Sequence, residues 1–293
     1  MSKRSRDRQL AKLAARRQAE RTAAIRRRNL IVGGIAGALS LVVVVVGLNV
    51  LLGDDTPAGS PSPTPSTSPT GSPSPTAEPG TKTGTVTPTA ANESGAVACG
   101  AEAPPEAGKP KPQFAGPPPM KIDAKAMYTA TVESSCGTIV IELDAKRAPT
   151  TVNSFVFLAK EGYFDGQYLH RLDTSIDVIQ GGDPTGTGGG GPGYAIPDEL
   201  KGDESYVPGT LAMANGGPNT GGSQFFLITG PAGTNLDGNP AYTIFGKVIE
   251  GLDVAQRIQG LPIVDPDSGD ISGQRPVQAV YLESVTIRKT EGG

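Results

Sequence analysis

A proline-rich stretch in the middle of the chain limits which residues can build a compact core. Sixteen of the 27 prolines lie in residues 53–119, many of them in Ser-Pro and Thr-Pro pairs such as Ser60-Pro61. Such a sequence stays extended, with polyproline-II character, and acts as a semi-rigid spacer. The sequence therefore predicts a disordered Pro/Ser/Thr-rich linker over residues 53–119 and leaves residues 120–293 as the folded domain.

The residues before the linker divide into a basic head and an apolar run. Residues 1–29 hold eleven Lys and Arg against two acidic residues, and residues 30–53 carry no charge. About 23 helical residues at about 1.5 Å each can cross the roughly 30 Å of a hydrocarbon core. The run ends at Asp54-Asp55 without a small-residue cleavage site, so we expect an uncleaved transmembrane helix at residues 30–52. Since basic flanks stay in the cytoplasm, residues 1–29 should be cytoplasmic and the C-terminal domain extracytoplasmic, at the cell membrane.

Three features of these segments have competing interpretations. The basic head could bind nucleic acid, but its place before a membrane span favours anionic lipid, so we expect no nucleic-acid partner. Gly33 and Gly37 form a G-x-x-x-G pattern, which either supports a weak transmembrane dimer or consists of ordinary small residues. The linker hydroxyl groups either accept O-linked sugars or belong to a bare spacer.

The chain has two cysteines, Cys99 near the end of the predicted linker and Cys136 in the first strand pair of the domain. Outside the cytoplasm an even number permits one disulfide, and two free thiols are the alternative. A bridge would close a loop of about 37 residues and should contribute about 3–4 kcal/mol to stability.

Apolar alternation and turn signals organise residues 120–293. Residues 127–133 and 138–143 alternate around Cys136-Gly137, which predicts a hairpin. Helical spacing between Pro149 and Gly162, and again at residues 252–259, predicts two helices. Further strands are predicted at residues 178–180, 209–214, 224–228, 243–248 and 277–288. Many short strands with two helices favour a mainly β fold, an antiparallel sheet closed into a barrel, over a parallel α/β sheet.

Several enzyme classes lack the residues that they need. Residues 186–191 fit G-x-G-x-x-G, but Pro184 and Pro192 bracket them, which favours a loop over a dinucleotide site. The single histidine, His170, has no cysteine near it in the sequence, which argues against a zinc site. A Ser hydrolase would need a G-x-S-x-G elbow, and the sequence has none. We therefore expect neither a cofactor nor a metal.

Three blocks of sequence stand out in the domain. The first is Leu169-His170-Arg171 followed by residues 178–183, and the second is residues 211–226, LAMANGGPNTGGSQFF. The third joins Leu236-Asp237-Gly238 to residues 242–248. Over residues 125–290 the chain resembles the cyclophilin-type peptidyl-prolyl isomerases, and with its anchor and linker it is similar to membrane-anchored bacterial cyclophilins. The resemblance implies a closed eight-stranded antiparallel barrel capped by two helices.

The resemblance also implies an activity that needs few ionisable residues. Rotation about an X-Pro amide meets a barrier of about 18–20 kcal/mol from C–N double-bond character, and no bond has to break. A fixed guanidinium can stabilise the lone pair that the prolyl nitrogen gains in the twisted amide. Arg171 matches the family's catalytic arginine.

The family's substrate contacts carry over to eight further residues. Val178 and Phe226 would line the proline recess, and Leu236 and Tyr242 would form its rim. Gln180 would lie near the amide, and Gln224 would contact a substrate carbonyl. Ala214 and Asn215 would hold the peptide backbone as an added strand does. The implied partner is an X-Pro-containing polypeptide.

The sequence departs from the family pattern around the recess. Asp177 stands where an aromatic pocket residue is usual, so we expect it to make the recess less apolar and to pair with Arg171. Asn235 stands near the family's tryptophan, Tyr242 replaces a histidine, and residues 239–241 form a small insertion. These changes predict weak binding of cyclosporin-like macrocycles and reduced turnover.

Two functions follow from these observations. The first is an active isomerase that accelerates the folding of secreted or surface proteins, which Arg171 and its matched substrate contacts favour. The second is a low-activity proline-peptide-binding module or chaperone tethered at the cell surface, which Asp177 favours.

Overall fold

The computed structural model describes residues 78–92, 94–238, 241–268 and 270–290. The predicted head, the transmembrane helix at residues 30–52 with Gly33 and Gly37, and the linker up to residue 77 lie outside them. Residues 239 and 240 of the predicted insertion also lie outside. Within the described ranges, every helix is too short or too polar to cross a membrane.

The described residues form ten strands and two α-helices. The strands are β1 (Lys82–Val86), β2 (Lys111–Phe114), β3 (Met127–Ser134), β4 (Gly137–Leu143), β5 (Arg171–Asp173), β6 (Val178–Gly181), β7 (Thr210–Met213), β8 (Phe225–Ile228), β9 (Ile244–Glu250) and β10 (Leu282–Thr290). The helices are α1 (Pro149–Lys160) and α2 (Leu252–Gln259). Two short 3-10 turns, Ala98–Gly100 and Pro231–Leu236, complete the described structure.

The predicted hairpin is confirmed as β3 and β4, which pair antiparallel. Alternate side chains face the core, so the cross-strand partners Val132 and Ile139 are both buried. The turn between the strands closes through Gly137, whose φ of 126° favours glycine.

The main sheet has eight antiparallel strands in the order β10, β3, β4, β9, β7, β8, β6 and β5. Its end strands, β10 and β5, do not share a ladder. Residues just before β5 meet the start of β10 instead: the Leu282 N–H donates to the Gln167 carbonyl at 2.7 Å, and the Leu169 N–H donates to the Val280 carbonyl at 2.9 Å. The predicted closed barrel is corrected to a curled sheet, because the end strands share no ladder and the bonds across the seam come from residues before β5.

Both predicted helices are confirmed. α1 begins at Pro149, whose fixed φ suits a first helical turn, and Gly162 follows its end with a φ of 64°. On its buried face Phe155 stacks on Phe164, with ring centroids 5.0 Å apart, and meets Phe225 of β8 edge-on at 5.7 Å. α2 packs against β4 and β6. The rings of Phe155, Phe164 and Phe225 form an aromatic layer under α1, on one side of β8.

Residues 78–119 differ from the extended linker that the sequence predicts; we call them, apart from residue 93, the N-terminal extension. β1 and β2 pair antiparallel, and Phe114 is buried edge-on against Phe157 of α1, with centroids 4.9 Å apart. Cys99 and Cys136 form the predicted disulfide, which joins the extension to the β3–β4 turn. The high proline content predicts a linker here, although the extension also contains a few apolar residues that are buried, chiefly Ala91, Ala98 and Phe114. The folded domain therefore includes residues 78–92 and 94–119.

Candidate active site

A small apolar recess opens on the face of β6 and β8 that points away from the aromatic layer. Gln180 of β6 lies opposite Phe226 of β8, while Ile179 and Phe225 point into the main core. Because neighbours in a strand face opposite sides, Phe226 is free to line a pocket, as the sequence predicts. The recess has a cavity volume of about 70 Å³. Its lining residues are Arg171, Ile176, Val178, Gln180, Ala214, Asn215, Phe226, Leu236 and Tyr242.

Aromatic contacts fix the floor and rim of the recess. The Tyr242 ring stands perpendicular to that of Phe226, with centroids 5.2 Å apart. Behind them the fully buried Tyr206 donates its hydroxyl to the Tyr242 carbonyl at 2.8 Å. Leu236 closes the rim from the 3-10 turn Pro231–Leu236. Tyr206 lies outside the three sequence blocks, so no sequence pattern predicts its supporting role.

Arg171 at the start of β5 is held on three sides. Its Nε donates to Gln274 Oε1 at 2.6 Å, one terminal nitrogen donates to Gln180 Oε1 at 3.0 Å, and the other to the buried Asp173 at 2.5 Å. A guanidinium has five N–H donors, so two remain for a ligand. The sequence patterns predict neither Asp173 nor Gln274 as a partner of Arg171. Gln274 is 103 residues away along the chain, and no local pattern could connect it to Arg171.

A wider opening, the groove, adjoins the recess and has a cavity volume of about 400 Å³. It shares Arg171, Gln180, Ala214 and Asn215 with the recess and adds Gly188, Gly189, Gly190, Gly216, Thr220, Gln224 and Ile271. Asn215 is anchored at the boundary, because its side-chain amide donates to the Ala241 carbonyl at 2.8 Å. The Ala214 N–H donates to the Gln224 carbonyl at 2.9 Å. The structure thus brings all nine sequence-predicted site residues together around two connected cavities.

Asp177 corrects a sequence expectation. Its carboxylate accepts a hydrogen bond from the Ala232 N–H at 2.8 Å, at the start of the Pro231–Leu236 turn, and it does not pair with Arg171. Its φ of 50° turns the chain so that the preceding residue, Ile176, lines the recess. The ion pair of Arg171 is made with Asp173. The recess therefore has an aliphatic wall in place of the expected carboxylate.

His170 lies beside Arg171 but is buried with no exposed surface. Burial lowers the pKa of His170 to about 4; the nearby Asp183 acts in the opposite direction, and Arg171 adds to the lowering. Neither ring nitrogen has a hydrogen-bond partner among the described residues. The imidazole is neutral near pH 7, so the charge facing the recess is that of Arg171. Within the described ranges, no three His, Cys, Asp or Glu side chains form a group able to hold a metal ion.

Comparisons with known proteins match the same part of the chain. The family model of "Cyclophilin type peptidyl-prolyl cis-trans isomerase/CLD" matches residues 128–287. The Schizosaccharomyces pombe "Peptidyl-prolyl cis-trans isomerase ppi1" is 44% identical over 160 residues, which cover 53% of this chain and 100% of the relative. The human "Peptidyl-prolyl cis-trans isomerase-like 1" is 44% identical over 155 residues, covering 52% of this chain and 87% of the relative.

Among solved structures, a Cryptosporidium parvum cyclophilin-type peptidyl-prolyl cis-trans isomerase is similar to the chain at 29% identity with a TM-score of 0.48. The match covers 55% of this chain and 98% of that structure.

Proposed function

Since the chain belongs to the cyclophilin-type peptidyl-prolyl cis-trans isomerases, we propose that its recess and Arg171 accelerate X-Pro rotation in secreted or surface polypeptides. The observation that carries this proposal is a guanidinium held on three sides at the edge of an apolar recess. A catalyst for this reaction needs a pocket for the proline ring and a fixed donor for the nitrogen that becomes pyramidal.

Arg171 supplies that donor. In the planar ground state the prolyl nitrogen lone pair is delocalised into the carbonyl, which makes the nitrogen a poor acceptor. As the amide twists, the lone pair localises and a free N–H of Arg171 can donate to it, so the interaction strengthens only on the way to the transition state. Gln274 and Asp173 hold the guanidinium in place, so little reorganisation is needed during the reaction.

The other site residues hold the substrate. Val178, Phe226 and Leu236 give the proline ring an apolar surface, with Ile176 as a wall that the sequence did not predict. Ala214 and Asn215 line the groove, where an extended peptide backbone can add along the site, and the hydrogen-bonded Gln180 and Gln224 side chains would lie beside the reacting amide. Such contacts recognise backbone and proline, so the proposed substrate class is X-Pro-containing polypeptide.

We also propose that the chain is anchored in the cell membrane with its folded domain outside the cytoplasm. The charge-free run 30–52 behind a basic head supports the anchor, and the Cys99–Cys136 disulfide is of the kind that persists in oxidising compartments. The chain then resembles the membrane-anchored bacterial cyclophilins in layout. Membrane-impermeant thiol labelling of single cysteines introduced at Ser5 and Ser62 in whole cells tests it. Only the second should react, and the reverse pattern would reject the proposed topology.

The activity is tested with the full-length protein in detergent by measuring cis-trans exchange of an X-Pro peptide by NMR. The wild type should accelerate exchange, Arg171→Ala should lose most of the acceleration, and Arg257→Ala, on the exposed face of α2, should retain it. A wild type that binds the peptide without accelerating exchange would leave the proline-peptide-binding module instead. The observation that favoured that module, a carboxylate in the recess, is removed by the position of Asp177.

A further inference from the structure

Two side chains of the N-terminal extension hydrogen-bond the segment that forms one wall of the groove. The Thr89 hydroxyl and the Thr89 N–H both donate to the Thr185 carbonyl, at 2.8 and 3.0 Å. The Gln113 side-chain amide donates to the Gly191 carbonyl at 2.8 Å. Thr185 and Gly191 lie at either end of the segment 184–193, which we call the glycine loop. The Phe114 N–H adds a backbone bond to the Pro192 carbonyl at 2.8 Å, so the extension holds both ends of the loop.

Between these two points the glycine loop is wrapped around a buried carboxylate. Asp183 accepts hydrogen bonds from the N–H groups of Thr185 at 2.7 Å, Gly188 at 2.5 Å and Gly190 at 3.3 Å. Burial acts to raise the pKa of Asp183, but hydrogen bonds from Thr185 and the loop outweigh it and lower the pKa, so the group is anionic. An added Cβ at Gly190 would lie 2.1 Å from the Asp183 carboxylate, so this wrapping needs glycine there.

With its N–H groups turned inward, the loop offers carbonyl oxygens to the site. The Gln224 side-chain amide donates to the carbonyls of Gly188 at 3.0 Å and Gly190 at 2.8 Å. Gln224 Oε1 then accepts from Gln180 Nε2 at 3.0 Å, and Gln180 Oε1 accepts from Arg171 at 3.0 Å. A row of hydrogen bonds thus runs from the loop to the guanidinium.

Both ends of this row favour the same direction, because the loop carbonyls only accept and the guanidinium only donates. A carbonyl can only accept, so Gln224 must turn its NH₂ group toward the loop and its oxygen toward Gln180. Gln180 must in turn present its NH₂ group to Gln224 and its oxygen to Arg171. A loop that moved away would free Gln224 to flip, and a flipped Gln224 would turn its NH₂ group toward the NH₂ group of Gln180. Gln180 would then lose the Gln224 bond that steadies it against Arg171, so the loop carbonyls determine how firmly Arg171 is held on its Gln180 side.

We propose that Thr89 and Gln113 are positioning residues that act on Arg171 through the glycine loop, Gln224 and Gln180. Both lie in the N-terminal extension, outside residues 128–287 that match the family model. The extension thus becomes part of this protein's catalytic apparatus. The inference rests on the proposed isomerase activity for its kinetic consequence, and on the geometry of the row for its structural one.

The test compares full-length variants that remove one donor each. Thr89→Val and Gln113→Met should each lower kcat/KM for an X-Pro peptide by about threefold, and the double variant by about tenfold. Thr89→Ser keeps the hydroxyl and should restore the rate. Thr85→Val is the matched control, because Thr85 is an exposed residue of β1 that pairs through its backbone with Pro112 of β2. Circular dichroism checks that each variant is folded.

A double-mutant cycle with Gln224 distinguishes a positioning effect on Arg171 from a general loosening of the fold. In a Gln224→Met background the row is already broken, so Thr89→Val should have no further effect on kcat/KM. An equal loss in both backgrounds would overturn the proposal, as would a full rate in the Thr89→Val, Gln113→Met double variant.

A second readout does not depend on activity. The side-chain NH₂ resonances of Gln224 and Gln180, which both donate within the row, should shift in Thr89→Val and return in Thr89→Ser, and unshifted resonances would overturn the inference. If the wild type fails to accelerate exchange, the proposed function fails, and these resonances still decide whether the extension positions the site.

Discussion

The recess and the groove share four residues at their boundary but are built from different kinds of structure. The recess is lined by side chains on strands β6 and β8, whose register places Val178 and Phe226 on one face. The groove has one wall without side chains, formed by Gly188, Gly189 and Gly190. Sheet register is fixed by the ladder itself, whereas loop backbone must be held from outside.

This difference explains what each cavity depends on. The recess lies within the family-matched residues, and its shape follows from strands in the interior of the sheet. The glycine loop is held by Asp183 on one side and by the N-terminal extension on the other. Perturbing the extension should therefore alter the groove and the Gln180 contact of Arg171, while the apolar side chains of the recess stay in place.

The largest expected effect comes from cutting the attachment of the extension. Replacing Cys99 and Cys136 together by Ser should lower the free energy of unfolding by about 3–4 kcal/mol, because a loop of about 37 residues is no longer closed in the unfolded chain. Urea unfolding of the wild type, with and without reductant, checks the value. Reductant should have no effect on the double variant.

In the folded double variant, binding of a long X-Pro peptide that reaches the groove should weaken more than binding of a dipeptide confined to the recess. Equal losses for the two ligands would show that the recess also depends on the extension.

The second effect is the pH dependence of stability that the buried His170 causes. The pKa of His170 is about 4 in the folded protein, against about 6.5 when unfolded. The unfolded chain therefore binds a proton first as pH falls. About 3 kcal/mol of stability, fully present above pH 6.5, should be lost between pH 6.5 and pH 4.

His170→Phe cannot bind that proton, so its stability should fall less over the same pH interval. Because the acidic residues titrate in both proteins, the measured quantity is the difference between the two pH profiles of unfolding free energy. Parallel profiles would mean that His170 is protonated in the folded state at pH 5.

The third effect concerns the guanidinium that both cavities share. Arg171→Lys keeps the positive charge but cannot bond Gln274, Gln180 and Asp173 at once, so kcat should fall by about a hundredfold, equivalent to about 2.7 kcal/mol. Peptide affinity measured by titration calorimetry should change little, because the apolar recess is untouched. A lysine variant with wild-type kcat would show that charge alone is sufficient.

The sequence predicts the strands and side chains of the recess better than the loop and the distant contacts around the groove. The β3–β4 hairpin, both helices and the recess face of β8 follow from alternation, helical spacing and a specific sequence block. The partners of Arg171 could not be predicted in this way, because Gln274 reaches it from a distant loop and Asp173 lies in a three-residue strand with no periodicity. The N-terminal extension was missed because its proline content outweighs its few buried apolar residues. Sequence patterns report regular elements well, and they say little about loops that are ordered by contacts with distant residues.

The smallest expected effect concerns Ile176, which lines the recess where the sequence predicts the carboxylate of Asp177. Ile176→Ala removes part of an apolar lining side chain and should weaken X-Pro dipeptide binding by roughly fivefold, or about 1 kcal/mol. Asp177→Asn is the matched control at the next position. An asparagine tolerates the left-handed backbone, and its carbonyl oxygen can still accept from the Ala232 N–H.

Asp177→Asn should therefore leave dipeptide affinity unchanged, both at low and at high salt. A carboxylate facing the recess would behave in the opposite way: its neutralisation would tighten apolar binding and release Arg171, while Ile176→Ala would have no effect. Because the two variants differ by one position on the same turn, their contrast measures which side chain the positive φ of Asp177 directs into the recess.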